Sequence, residues 1–276
     1  MKQSNWFPFL LLCLFTLASL GVQSQQIDKK NKVSKGTKMQ LVWSDEFNYT
    51  GLPDPTKWNY DVGGWGWGNN ELQYYTKDSL GNASVNHGLL TIILKQQTIE
   101  DRKYSSARLV TKGKGDWVYG RIDVRAKLPK GLGTWPAIWM LGSTTPLKWP
   151  DDGEIDIMEH VGFNPGFIHA TTHTKSFNHI IGNQKTDTII VKDFDTKFHD
   201  YSVIWNKDSV TILLDNQAYY TFNNNGTGKD AWPFDGPMHL LLNIAFGGNW
   251  GGAKGVNDAI LPAKMEIDYV RVYQLK

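Results

Sequence analysis

The segment Arg121-Ile122-Asp123-Val124-Arg125-Ala126 alternates charged and apolar side chains with a period of two. A β-strand points successive side chains to opposite faces, so this pattern indicates a strand that is buried on one face. Further strand-like runs lie at residues 41–43, 89–95, 107–111, 136–141, 168–173, 199–205, 210–214, 218–222, 238–246 and 264–273. No long stretch has helical periodicity, and Gly, Asn and Asp mark the turns. The sequence therefore predicts an all-β fold, a β-jelly-roll sandwich of two antiparallel sheets.

Composition restricts the class of protein. The chain has 276 residues, enough for one large β domain or two small ones, and it contains neither a repeat nor a linker. We therefore expect one domain over residues 39–276. An apolar content of 41% allows a sizeable core, whereas 12 tryptophans are more than an ordinary core requires. The formal net charge of +2 argues against nucleic acid or an anionic membrane as the main partner.

The first residues differ in character from the rest of the chain. Lys2 precedes an apolar run over residues 6–20, a pattern that predicts a signal peptide at 1–24 and a secreted or periplasmic protein with no membrane association afterwards. An uncleaved anchor is the alternative, but the run is shorter than the ~20 residues of a typical membrane span. Residues 25–38 are rich in lysine and predict a flexible polar leader. The single cysteine, Cys13, lies in the signal segment, which excludes disulfides and a cysteine-ligated zinc site in the mature chain.

Three acidic residues interrupt the apolar segment Gly153-Glu154-Ile155-Asp156-Ile157-Met158-Glu159-His160. Strict alternation places Glu154, Asp156 and Met158 on one face of a strand and points Glu159 away. A β-bulge near Ile157 or Met158 would return Glu159 to the face of the other two acids. Carboxyl groups so close together cannot all ionise freely, so one pKa should rise. A carboxylate beside a neutral carboxylic acid is the arrangement that glycoside hydrolysis needs.

The pattern Glu154-x-Asp156-x-x-Glu159 within an apolar strand resembles the active-site signature of glycoside hydrolase family 16. Further segments resemble the laminarinase branch of that family in the same order, at residues 43–47, 70–76, 119–121, 125–129, 135–142, 243–250 and 268–273. The resemblance implies a β-jelly roll with a concave substrate groove. It also implies an endo-acting hydrolase that cleaves 1,3-β-glucan with retention of configuration, needs no catalytic cofactor and acts as a monomer.

The resemblance also implies catalytic roles. Glu154 would be the nucleophile, Glu159 the general acid and then the general base, and Asp156 would hold Glu154 in place. A retaining mechanism needs two carboxyl groups ~5–5.5 Å apart, and the long glutamate side chains can converge to that separation. The pKa of Glu159 should be raised, because this group must be protonated when the substrate arrives.

Groove residues are implied by family positions as well: Asn70, Arg108, Trp135, Trp139, His173 and Trp250. The spacing of four keeps Trp135 and Trp139 on one strand face, where indoles can stack on sugar rings before the cleavage point. Asn70 and Arg108 would lie at the groove floor, Trp250 would overhang the far end, and His173 would lie near the acid side of the cleft. Burial in the core, or a purely structural histidine, is the alternative for each.

A structural calcium ion is implied on the convex face, held by Glu46, Asp268 and the carbonyl oxygen of Gly88. The alternative is an ordinary pair of surface carboxylates.

Other functions of the same scaffold stay open. A mixed-linkage 1,3-1,4-β-glucan or a red-algal galactan could be the substrate, although the mixed-linkage branch tends to use the unbulged spacing Glu-x-Asp-x-Glu. A non-catalytic β-glucan-binding protein is a different class, and such relatives lose the acids that are all present here.

Overall fold

The structure, a computed structural model, describes residues 38–276. The signal peptide predicted at 1–24, and all of the predicted leader except Lys38, lie outside the described residues. In chain order the strands are β1 (Met39–Asp45), β2 (Asn59–Tyr60), β3 (Gln73–Tyr75), β4 (Ala83–Asn86), β5 (Leu89–Ile99), β6 (Arg102–Ser106), β7 (Arg108–Val110), β8 (Asp116–Trp117), β9 (Gly120–Lys127), β10 (Thr134–Gly142), β11 (Glu154–His160), β12 (Phe167–His173), β13 (Lys185–Ile190), β14 (His199–Trp205), β15 (Ser209–Leu214), β16 (Gln217–Asn223), β17 (Met238–Phe246) and β18 (Ala263–Leu275). Within this range the helices are two 3-10 turns, His179–Ile181 and Asp258–Ile260.

The strands form two sheets. The first has the order β16-β15-β14-β9-β18-β5-β6-β3, with β1 also paired to β18 and β4 to β5. The second has the order β13-β12-β11-β10-β17-β7-β2, with β8 also paired to β17. Pairing between these strands is antiparallel throughout except for β3 with β6, which run parallel. The predicted all-β jelly-roll sandwich is confirmed.

The core lies between the two sheets and follows from the alternation in the sequence. On β9, Ile122 and Val124 are buried, while the charged residues that alternate with them are half-exposed. On β17 every residue is buried. Leu240 and Leu242 join the main core, and Leu241 belongs to a smaller cluster that packs against two half-buried tryptophans. This strand therefore has apolar contacts on both faces, as its unbroken apolar sequence predicts.

Strand boundaries agree closely with the sequence where alternation is strong. The strands predicted at 199–205 and 238–246 have these bounds in the structure, and the strand predicted at 107–111 is shortened to Arg108–Val110. The hairpin between β15 and β16 turns at Asp215 and Asn216, whose φ angles are 48° and 66°. Positive φ at both turn positions is what a two-residue hairpin of this twist requires. Strand β13 is an exposed edge strand without a buried face. Its sequence therefore does not alternate between apolar and polar residues, and the strand was not predicted.

No helix in the described part of the chain is both long enough and apolar enough to span a membrane.

Candidate active site

The acidic strand β11 contains the predicted bulge. Against β10, Ile138 pairs with Met158 and the next residue pairs with Asp156, which leaves Ile157 as the extra residue. The pairing of β11 with β12 shifts register over the same segment. The bulge changes the parity of the strand after this point, so Glu159 returns to the side of the earlier acids. Met158, which strict alternation places beside the acids, is instead fully buried in the core.

The three acids line a cleft of about 580 Å³ on the face of the second sheet that is turned away from the core: Glu154, Asp156 and Glu159. Five tryptophans share this lining: Trp65, Trp67, Trp135, Trp139 and Trp149. Strand β10 supplies Trp135 and Trp139 from alternate positions, with Ala137 between them in the cleft lining. Five of the 12 tryptophans, which are more than an ordinary core requires, therefore line this cleft.

Glu154 and Glu159 each accept a hydrogen bond from a different indole. Trp149 Nε1 donates to Glu154 Oε2 at 2.8 Å. Trp135 Nε1 donates to Glu159 Oε1 at 3.0 Å. These bonds orient both carboxyl groups. Trp149 was not among the residues predicted from the sequence.

The electrostatics of the acids follow mainly from burial. Loss of solvent raises the pKa of Glu154 to about 7 and that of Glu159 to about 8. The pKa of Asp156 lies well above its usual range, because it is buried and both glutamates add negative charge. The hydrogen bond from Trp149 and the charge of Arg108 act in the opposite direction and lower the pKa of Glu154.

These pKa shifts bear on which of the three acids carries a proton. The raised pKa of Asp156 favours its neutral form, and the interaction between Asp156 and Glu154 lowers the pKa of Glu154. The pKa of Glu159 is raised in the predicted direction, which favours its protonated form at neutral pH. The sequence predicted one raised pKa, whereas burial raises the pKa of each of the three acids.

His173 was predicted to lie near Glu159, but in the structure it lies beside Glu154 and Asp156. Its Nε2 is 3.5 Å from Asp156 Oδ2 and 3.8 Å from Glu154 Oε1. Because β12 runs antiparallel to β11, its last residue pairs with Glu154, and the histidine opposite Glu159 is His169. The expectation that His173 lies near the acid side is therefore wrong. Burial lowers the pKa of His173 to about 4, so the ring is neutral beside the carboxyl groups.

Arg108 forms part of the opposite wall of the cleft. Its guanidinium lies 4.6 Å from the ring centre of Trp139 and 4.8 Å from that of Trp67. A salt bridge of 2.9 Å to Asp61 holds the charge between the two rings. The predicted groove position of Arg108 agrees with this lining.

Three of the predicted groove residues, Asn70, His173 and Trp250, lie outside the cleft lining. Asn70 is exposed in a turn, where its amide donates to the side chain of Asn249 at 2.8 Å. Trp250 packs edge-on against Trp135, with ring centres 5.4 Å apart, and against His169 at 5.0 Å. Trp250 thus supports the indole that binds Glu159. Direct contact of Asn70, His173 and Trp250 with a sugar stays a prediction.

Among the described residues, one group of side chains could hold a metal ion: ligand atoms of Glu154, Asp156 and His173 lie within 4.8 Å of one another. At the predicted calcium site, both oxygens of Glu46 accept from Arg271, at 2.9 and 2.7 Å.

The other side chain of that site is engaged as well, because Asp268 pairs with Arg125 at 3.1 Å. Gly88 lies in the turn between β4 and β5. Both carboxylates are therefore paired with arginines in this structure, and the calcium site stays a prediction.

Comparison with known proteins agrees with this geometry. The sequence profile of the glycosyl hydrolases family 16 matches residues 69–271. The chain is 50% identical over 281 residues to a β-glucanase of Rhodothermus marinus, an alignment that covers 99% of this chain and 96% of that protein. The solved structure of the laminarinase from Rhodothermus marinus superposes with a TM-score of 0.84 at 51% identity, over 87% of this chain and 98% of that chain.

A second solved structure contains a bound sugar. It is a mutant of SCLam, described as a non-specific endo-β-1,3(4)-glucanase and co-crystallised with 1,3-β-D-cellotriosyl-glucose. It superposes with a TM-score of 0.83 at 47% identity, over 86% of this chain and 95% of that chain. The family predicted from the acidic motif is confirmed by these matches. The chain belongs to the glycosyl hydrolases family 16.

Proposed function

We propose that this protein is a secreted endo-1,3-β-glucanase that retains the configuration of the anomeric carbon. The observation that carries the proposal is the arrangement of Glu154 and Glu159 in one tryptophan-lined cleft, each held by its own indole donor. The names of the relatives from Rhodothermus marinus, a β-glucanase and a laminarinase, support the same activity.

The mechanism follows from the division of protons. The ionised Glu154 attacks the anomeric carbon while Glu159 gives its proton to the departing glycosidic oxygen, which yields a glycosyl ester on Glu154. Glu159, now ionised, then takes a proton from water, and the resulting hydroxide displaces Glu154 from the sugar. Two inversions restore the original configuration. Asp156 stabilises the carboxylate of Glu154 before attack and again when it leaves, and no cofactor is needed.

A broader specificity, including mixed-linkage 1,3-1,4-β-glucan, is the second candidate. The relative SCLam, with 47% identity, is described as non-specific for the two linkage types. The tryptophans of the cleft can stack on the rings of either glucan, whereas the bulged spacing of the acids argues against the mixed-linkage branch. The linkage preference is therefore the part of the proposal that an assay must decide.

The assay uses purified protein with laminarin, barley mixed-linkage glucan, and agar. Release of short 1,3-linked oligosaccharides from laminarin supports the proposal, and comparable release from barley glucan selects the broader specificity. Binding of glucan by the wild-type protein without any release would contradict the enzyme assignment.

The nucleophile is tested separately. Glu154→Gln should abolish turnover and keep binding, whereas Glu154→Ala with azide should yield an α-glycosyl azide. Substantial activity in Glu154→Gln would show that Glu154 is not the nucleophile. Secretion, the monomeric state and the structural calcium remain predictions that depend on the sequence and on the family.

A further inference from the structure

Two further carboxyl groups line the cleft, Asp61, which pairs with Arg108, and Glu71, which has no role in the mechanism above. Glu71 is 6% exposed, and its Oε2 accepts hydrogen bonds from Gln73 Nε2 at 2.6 Å and from the hydroxyl of Tyr75 at 3.3 Å. Burying a carboxylate has a large desolvation cost, so a fold keeps one where its hydrogen bonds offset that cost or where it has a use. Gln73 is itself oriented, because its Oε1 accepts from the backbone N–H of Phe246 at 2.7 Å.

The hydrogen bonds continue from Tyr75 to the cleft wall. Asn243 Nδ2 donates to the hydroxyl oxygen of Tyr75 at 3.1 Å. Trp139 Nε1 donates to Asn243 Oδ1 at 2.7 Å. Tyr75 is fully buried and Asn243 is 5% exposed, so neither can exchange these partners for bulk water.

The direction of this chain is set at its carboxylate end. Tyr75 donates its hydroxyl proton to Glu71 Oε2, which also accepts from Gln73 Nε2. Burial raises the pKa of Glu71, whereas these two hydrogen bonds and the charge of Arg108 lower it and favour the carboxylate, which can only accept hydrogen bonds. The tyrosine oxygen is then left to accept from the amide nitrogen of Asn243. That orientation turns the amide oxygen of Asn243 toward the indole N–H of Trp139. Each donor in the chain has one acceptor, and the sequence of bonds ends at the charge of Glu71.

Trp139, at the end of the hydrogen-bond chain opposite Glu71, lines the cleft. Arg108 lies 4.6 Å from the ring centre of Trp139 and also contacts Trp67. The ring of Tyr75 lies 5.3 Å from that of Trp67, so the same buried tyrosine supports both aromatic side chains. A wall whose orientation is fixed before binding loses less conformational entropy when a sugar stacks on it.

We propose that Glu71 is a positioning residue, which acts through Tyr75 and Asn243 to fix the plane of Trp139 against which a glucan ring stacks. The inference rests on the proposed function for the identity of the ligand, but the hydrogen-bond chain itself does not. Glu71 therefore acts on substrate affinity through Trp139, and it takes no part in bond cleavage.

The first test follows the indole and needs no sugar. In protein with ¹⁵N-labelled tryptophan, the N–H signal of Trp139 is assigned by its loss in Trp139→Phe. We expect that Tyr75→Phe shifts this signal and speeds its exchange with solvent, and that Glu71→Leu does the same. Glu71→Gln keeps an acceptor oxygen and should restore slow exchange. Tyr104→Phe is the matched control, since that hydroxyl bonds to Asp258 outside the chain.

The second test measures binding of a laminarin oligosaccharide by calorimetry in the inactive Glu154→Gln background. Loss of one hydrogen bond in the chain should weaken binding about twofold to tenfold in Tyr75→Phe. With Trp139→Phe already present, the same change should have less than about a twofold effect, because the indole through which it acts is gone.

The outcomes separate the two proposals. An unchanged Trp139 signal in folded Tyr75→Phe and Glu71→Leu overturns the inference, as does an equal loss of affinity with and without Trp139. The two proposals can also fail separately. If the Trp139 signal changes but the wild-type protein neither binds nor cleaves any β-glucan, the hydrogen-bond chain is confirmed and the glucanase function is rejected. The proposed effect of Glu71 on glucan affinity is then rejected as well.

Discussion

Replacing Trp149 by phenylalanine should move the acid limb of the pH profile and leave the alkaline limb in place. The indole N–H of Trp149 donates to Glu154 at 2.8 Å and lowers the pKa of that carboxyl group, which burial raises to about 7. A hydrogen bond to a charged group contributes ~1.5–3 kcal/mol, and 1.36 kcal/mol corresponds to one pKa unit. Because water entering beside the smaller ring replaces part of the bond, we expect the pKa of Glu154 to rise by about one unit.

The sign of the effect on activity is fixed by the mechanism. Glu154 must be ionised to attack, so a higher pKa shifts the acid limb of kcat/KM to higher pH by the same amount. Activity on laminarin should fall roughly tenfold at pH 6, where the limb is steep, and change little once Glu154 is ionised in both proteins. The measurement is kcat/KM across the full pH range for wild type and Trp149→Phe.

The matched control is Trp139→Phe, which makes the same substitution at an indole that donates to Asn243 instead of a catalytic acid. We expect it to raise KM without moving either limb. An acid limb that stays in place in Trp149→Phe, or a loss of activity that is equal at all pH values, would refute the role assigned to this hydrogen bond.

Three further predictions concern the same strand and its surroundings. Trp135→Phe removes the donor to Glu159 and should raise the pKa of that acid above about 8, so the alkaline limb of kcat/KM should move to higher pH by up to about one unit. Arg108→Met removes a positive charge that lowers the pKa of Glu154; the acid limb should move to higher pH, and the difference from wild type should shrink as salt is added. Met158→Ala should lower the free energy of unfolding in urea by about 2–5 kcal/mol, because this residue is fully buried in the core. A change below ~1 kcal/mol would contradict that placement.

The bulge in β11 shows how far a sequence can specify a site. Alternation alone places Met158 beside the acids, and the chemistry alone requires Glu159 there. The conflict has one simple solution, an extra residue between Asp156 and Glu159, and the structure places it at Ile157. A rule of local structure and a requirement of the reaction were therefore sufficient together, although neither was sufficient alone.

Hydrogen-bond partners of the acids that lie in connecting segments could not be predicted from the sequence in the same way. Trp149 lies in the segment between β10 and β11, where no periodic pattern fixes the direction of a side chain. Its bond to Glu154 depends on the path of that segment, which the sequence does not encode in any short motif. The side of the cleft occupied by His173 was likewise set by the pairing of β12 with β11, a property of register.

The hydrogen-bond chain that ends at Glu71 could be predicted in part, unlike the contact of Trp149, which could not be predicted, and the bulge in β11, which could. Glu71, Gln73 and Tyr75 occupy alternate positions and are buried together, so their shared orientation could have been inferred from parity. Their partner Asn243 is 168 residues from Tyr75 in the sequence. A buried carboxylate among aromatic residues signals that such a partner exists, because an isolated charge would be too costly to bury. The burial of Glu71 in the structure therefore indicates a polar network, and the tertiary structure shows that this network ends at Trp139.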